Sequence, residues 1–107
     1  MTTSTFKQGD TKMVFTDTPT INGVAMTPPQ LVGCTVYWLM RTFDGLTAYR
    51  NTATINPDGT FSYAVTASDV ATAGKFQQEW DLVFPGGQSL TFPNTGYNIV
   101  NILPELG

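Results

Sequence analysis

The stretch from Gly74 to Tyr97, GKFQQEWDLVFPGGQSLTFPNTGY, decides the fold class. Phe76, Gln78, Trp80, Leu82 and Phe84 fall on one parity, while Lys75, Gln77, Glu79 and Asp81 fall on the other. Successive side chains of a strand point to opposite sides, so a period of two describes a β-strand with one face in a core and the other toward solvent. Pro85-Gly86-Gly87 ends that run, Gln88 to Phe92 makes a second strand, and Pro93-Asn94-Thr95-Gly96 leads into a last one from Tyr97 to Leu103. Half-apolar ribbons joined by tight turns follow from this segment alone.

Working outward, the same pattern covers the rest of the chain. Phe6 and Lys7 begin a strand that steps through Gln8-Gly9-Asp10 into Lys12 to Thr16, with Met13 and Phe15 on one parity. A short piece from Ile21 to Ala25 follows, and Met26 to Gly33, with its paired prolines, is a loop or a sheet edge because proline donates no ladder hydrogen bond. Cys34 to Thr42 is apolar on both parities, which suits either a central strand covered on both faces or one whose outer face meets another chain. Asp44-Gly45 marks a hairpin into a return strand from Thr47 to Ile55, and Asn56-Pro57-Asp58-Gly59 repeats the device. Phe61, Tyr63 and Val65 then face inward. Residues 68–73 form the only helix-prone piece, one short helical turn that Ser68 or Asp69 caps and Gly74 ends, at the corner where the chain changes sheets. The expected fold is all-β: an antiparallel two-sheet β-sandwich of seven to nine strands, one domain over residues 1–107.

Composition narrows the function. Charged residues make up 12% of the 107-residue chain, about half the usual share for a globular domain. With a net charge of −3 and only Lys7, Lys12, Arg41, Arg50 and Lys75 as cations, the chain cannot neutralise a run of phosphates, so nucleic acid is not an expected partner. No apolar run approaches the ~18 residues of a membrane span and the first ten residues do not form a signal peptide, so a soluble product made in a cytoplasm is expected. Cys34 has no cysteine to pair with and sits among apolar neighbours as a small buried residue.

There is no histidine, which removes the commonest general base and metal ligand. Most carboxylates sit at turns, where Asp is first a turn former. Glu79 and Asp81 share the solvent parity of one strand and read as a solvated face that discourages edge association. Asn56 to Thr60 lacks the alternating oxygen ligands of a calcium loop. No enzyme activity, cofactor or metal is expected.

Three pieces in order carry a resemblance: FKQGDT at residues 6–11, TVYWLMR at 35–41 before an Asp-Gly turn, and SYAVTASDVATAGKFQQEWDLVFPGGQSLTFPNTGY at 62–97. Together they resemble the N-terminal domain family of phage baseplate upper proteins (BppU), immunoglobulin-like β-sandwich modules of tailed-phage structural proteins. The resemblance implies a virion protein that docks in multiple copies on other phage structural proteins, in the baseplate, tail, neck or capsid. In its motifs Gly9 and Asp10 allow a kink between half-strands, and Phe92, Pro93 and Tyr97 close one end of the core. Lys7 and Lys12, at a strand edge, are candidate interaction residues through strand addition. Tyr37 and Tyr49 are the other candidates, and would serve a carbohydrate- or host-surface-binding module if they cluster on an exposed sheet face.

Overall fold

The computed structural model describes residues 3–93 and 96–104. Eleven strands run through them: β1 (Thr3–Lys7), β2 (Val14–Asp17), β3 (Thr20–Ile21), β4 (Val24–Ala25), β5 (Thr35–Thr42), β6 (Ala48–Thr52), β7 (Thr54–Ile55), β8 (Phe61–Ala64), β9 (Gly74–Val83), β10 (Ser89–Phe92) and β11 (Asn98–Leu103). Eight exceed two residues, which agrees with the seven to nine expected. The larger sheet has the order β1-β11-β9-β5-β6, with β10 continuing alongside β9 where β11 leaves off. β2-β8-β7 forms the second sheet, and β3-β4 a small hairpin. With β2, β8 and β7 facing β11, β9 and β5, the layout is that of an immunoglobulin-like sandwich.

The alternation in the decisive stretch appears residue by residue. Phe76, Gln78, Trp80 and Leu82 are buried along β9, while the residues between them are half-buried on the other face. β5 runs beside it in register, Trp38 opposite Trp80 and Met40 opposite Gln78. Aromatic contacts join the layers: Trp38 stacks on Tyr63 with centroids 4.6 Å apart, and Phe61 reaches Trp80 at 5.7 Å and Phe92 at 6.0 Å. Such offset and edge-on pairs add to the burial of large apolar area.

Several expectations are corrected. The pairing is not wholly antiparallel, because β1 runs parallel to β11, from Thr3 opposite Ile99 to Lys7 opposite Leu103. Gly9, at φ +80°, and Asp10, whose carboxylate accepts the Lys7 N–H, turn the chain toward the other sheet. With β2 committed there, β1 pairs with the far end of the sequence. The helical turn lies at Pro28–Leu31, started by prolines at its first positions and a Thr27/Gln30 capping box, rather than at 68–73. The 68–73 corner opens instead on a hydrogen-bonded turn in which the Asp69 N–H donates to the Thr66 carbonyl.

The return strand is two strands. β6 belongs to the large sheet, the Ala53 N–H still donates to the Val36 carbonyl at 2.8 Å, and Thr54 then pairs with Ser62 in the small one. Ile21 to Ala25 is a hairpin about Asn22-Gly23, not one strand. Met13 is exposed, Cys34 half-buried, and Tyr97 packs edge-on against Phe43 at 5.6 Å rather than closing the core beside Phe92. Asn94 and Thr95 of the expected turn lie outside the described residues.

The Asn56 to Gly59 turn forms as expected, with the Gly59 N–H donating to the Asn56 carbonyl. Gly59 is buried at φ +90°, and an added Cβ would stand 3.4 Å from the Met26 carbonyl oxygen. Gly59→Ala is expected to cost about 1 to 2 kcal/mol, measured by denaturant unfolding, from backbone strain at a position an L side chain rarely adopts.

Candidate functional site

Because β5 and β9 are the middle of the large sheet, their outward side chains form the centre of a broad face. Tyr37, Leu39 and Arg41 from β5 alternate with the buried Val36, Trp38 and Met40, and lie opposite Asp81, Glu79 and Gln77 of β9. On the other flank Leu39 meets Arg50 and Arg41 meets Ala48, both from β6. Glu79 and Asp81 therefore occupy the middle of the sheet, so the expected role in guarding an edge is corrected: β9 has neighbours on both sides.

Polar contacts hold this face in order. The Arg50 guanidinium lies 4.0 Å from the Tyr37 ring centroid and 2.9 Å from the Asp81 carboxylate, and Arg41 Nε donates to Gln77 Oε1 at 3.0 Å. Ala48 is too small to fill its place, which leaves a depression of about 260 Å³ over Leu39, rimmed by Arg41, Arg50, Gln77 and Glu79. An apolar floor with charged walls of both signs suits the side chain of a docked protein. The Arg50 pair is half exposed, so Arg50→Ala is expected to change stability by less than about 1 kcal/mol, checked by thermal unfolding.

The four residues singled out from sequence fall in three places. Lys7, at the end of β1, and Lys12, in the loop before β2, lie at the same end of the sandwich. Tyr37 is on the outer face. Tyr49 has the opposite parity: it pairs with Met40 and its ring meets the core residue Phe76 at 6.5 Å. The two tyrosines thus do not form one aromatic platform.

A second concavity, about 170 Å³, opens between the sheets beside β2 and is lined by Ser4, Phe15, Asp17, Gln78, Trp80 and Asn98 among others. Its inner wall is a buried amide pair, Asn98 Nδ2 donating to Gln78 Oε1 at 2.9 Å. Sequence reasoning did not find this opening, because it exists only where β1 has left β2 to join β11.

The principal buried charged group is structural. Asp69 accepts hydrogen bonds from the Tyr63 hydroxyl at 2.6 Å, the Thr66 N–H at 2.9 Å and Asn51 Nδ2 at 2.9 Å. Burial first, then the hydrogen bond and the negative charge of Asp69, push the Tyr63 phenol well above its ordinary pKa of 10. Since the folded state holds this proton more tightly, the contribution is complete below the unfolded value near 10 and is lost as pH rises past it. The measurable outcome is alkaline destabilisation starting above pH ~10 that is reduced in Tyr63→Phe, followed by circular dichroism against pH. Burial also raises the Cys34 thiol, which weakens it as a nucleophile.

Among the described residues no group of three or more His, Cys, Asp or Glu is placed to hold a metal ion, and no helix is long and apolar enough to cross a membrane. Comparison with known proteins finds no matching family model and no matching curated protein.

Proposed function

We propose that this chain is a non-enzymatic structural component of a tailed-phage virion, which works by docking on other virion proteins in the baseplate, tail, neck or capsid. The observation that carries the reading is the two-sided character of β5. Its inner row is core, yet on its outer row Tyr37 and Leu39 are half-buried and Arg41 is exposed, and Leu39 and Arg41 line a depression that no layer of the described residues covers. A central strand that sets Tyr37 and Leu39 on its outer row presents apolar area that a second layer would cover. The resemblance to baseplate upper protein modules supplies the setting, and symmetric repetition allows a modest interface to hold each copy firmly.

Mass spectrometry of purified phage particles is the test. The chain is expected in the particle inventory at a copy number set by the symmetry of its ring or lattice, and its absence would end the proposal. The alternative, a carbohydrate- or host-surface-binding module, is weakened because Tyr37 and Tyr49 belong to opposite faces of the sheet. Glycan-array binding that Tyr37→Ala abolishes would favour it instead.

A further inference from the structure

Most of the exposed large apolar side chains lie at the two ends of the sandwich, and the ends differ in charge. β5 ends at Thr42, β9 begins at Gly74, β1 ends at Lys7 and β2 begins at Val14, so the register places all four of these points at one end. That end carries Lys7, Lys12, Arg41 and Lys75, four of the five cations; the fifth, Arg50, is paired with Asp81 in mid-sheet. It also carries the exposed Phe43, Leu46 and Leu103, with Leu46 86% accessible at the hairpin tip. Among the described residues its exposed carboxylates are Asp10, which accepts from the Lys7 N–H, and Asp44, which accepts from the Thr42 hydroxyl and the Leu46 N–H, so the exposed charge of this end is four positive against two negative.

The opposite end has the complementary character. Asp17 closes β2 opposite Phe61, and Asp58 stands in the turn just before Phe61, with no Lys or Arg in the neighbouring segments 17–35 and 53–61. Hydrogen bonds from the Thr60 hydroxyl and N–H hold Asp58 below the usual carboxylate range, so it is ionised. The β3-β4 hairpin is rooted here, where the Met26 N–H donates to the Pro19 carbonyl and Met26 lies against Gly59. Val24 and Val32, 71% and 77% accessible, add apolar surface.

We propose that copies of this chain associate head to tail, the basic-apolar end of one on the acidic-apolar end of the next. This rests on the docking reading above only for the repeated assembly in which copies meet; the surfaces are the two ends of the sandwich, not the outer face of β5, and the partner is a second copy. Two different surfaces make the contact heterologous, so it propagates into a ring or a filament rather than closing as a dimer. Net charge does not prevent it. The molecule is 46 Å long, far beyond the Debye length of about 10 Å at 0.1 M salt, so whole-molecule repulsion is screened while pairs meeting across the contact are not.

Sedimentation velocity of the purified chain tests the proposal. Association is expected with a Kd on the order of 0.1 to 1 mM, as suits a contact below standard size, and it weakens with salt. Lys12→Glu with Lys75→Glu disables one end, and Val24→Lys with Val32→Lys disables the other; all four positions are exposed, and unchanged circular dichroism and melting confirm folding. Each double variant alone is expected to be monomeric, and their mixture to give a heterodimer and nothing larger. A wild-type chain that stays monomeric at ~1 mM in low salt, association untouched by either variant, or a mixture that does not dimerise would each overturn the proposal. The particle inventory is unaffected by any of these results, so the virion reading stands or falls separately.

Discussion

Trp38→Ala lowers the stability of this domain by about 4 kcal/mol, the largest loss expected from any single truncation in the core. Trp38 is fully buried, stacked on Tyr63 from the opposite sheet, and tilted against Phe15 at 5.3 Å. Its removal therefore opens a cavity between the layers, where neither backbone can collapse inward without breaking its own ladder. The cost combines lost transfer free energy with the cavity left behind. For a domain of this size it corresponds to a fall in melting temperature of about 15 to 25 °C. Calorimetry or chemical unfolding measures it. A loss below ~1.5 kcal/mol would mean that the sheets do not pack as described, since truncating a buried Phe or Trp to alanine costs about 3 to 5 kcal/mol. Trp38→Phe, which retains most of the ring area, is expected to keep more than half of the stability that alanine forfeits.

The second large effect is at Asp69. Substituting alanine removes the acceptor of three hydrogen bonds and leaves the Tyr63 hydroxyl and the Thr66 N–H without it in a closed corner. Hydrogen bonds to a charged group contribute about 1.5 to 3 kcal/mol each, and orphaned donors add a desolvation cost, but bonds sharing one acceptor do not add fully. A loss of about 3 kcal/mol is expected. Asp69→Asn is expected to recover part of it, because one carbonyl oxygen remains to accept. Denaturant midpoints of the two variants distinguish a polar keystone from a residue that merely fills space: if asparagine and alanine are equally destabilising, the acceptor role is wrong.

These two residues show what was legible beforehand. Trp38 sits in a run apolar on both parities, which marks a central strand or one whose outer face meets another chain, and the inward parity of Phe76 to Leu82 follows from their alternation. Local turn chemistry was equally readable at Asp44-Gly45 and Asn56 to Gly59, since positive φ and Asx hydrogen bonds are properties of the residues themselves. Asp69 carries no such mark. Its partners Asn51 and Tyr63 are 18 and 6 residues away, and only the folding of β6 over the corner makes the site. The change of sheet at Ala53 was hidden because alternation continues unbroken across it, and periodicity reports burial, not which layer receives a side chain. Lys7 and Lys12 stand out in the sequence as edge residues, but that they share an end with Arg41 and Lys75 depends on strand directions that no local pattern encodes.

The parallel alignment of β1 with β11 has a mechanical consequence. Tension applied between Thr3 and Leu103 acts at opposite ends of this pair, drawing the two strands past one another along their length. The rungs between them are strained together, whereas in a terminal hairpin the same pull would open them one after another like a zip. A module tethered through these strands is thereby built to resist stretching and to fail abruptly.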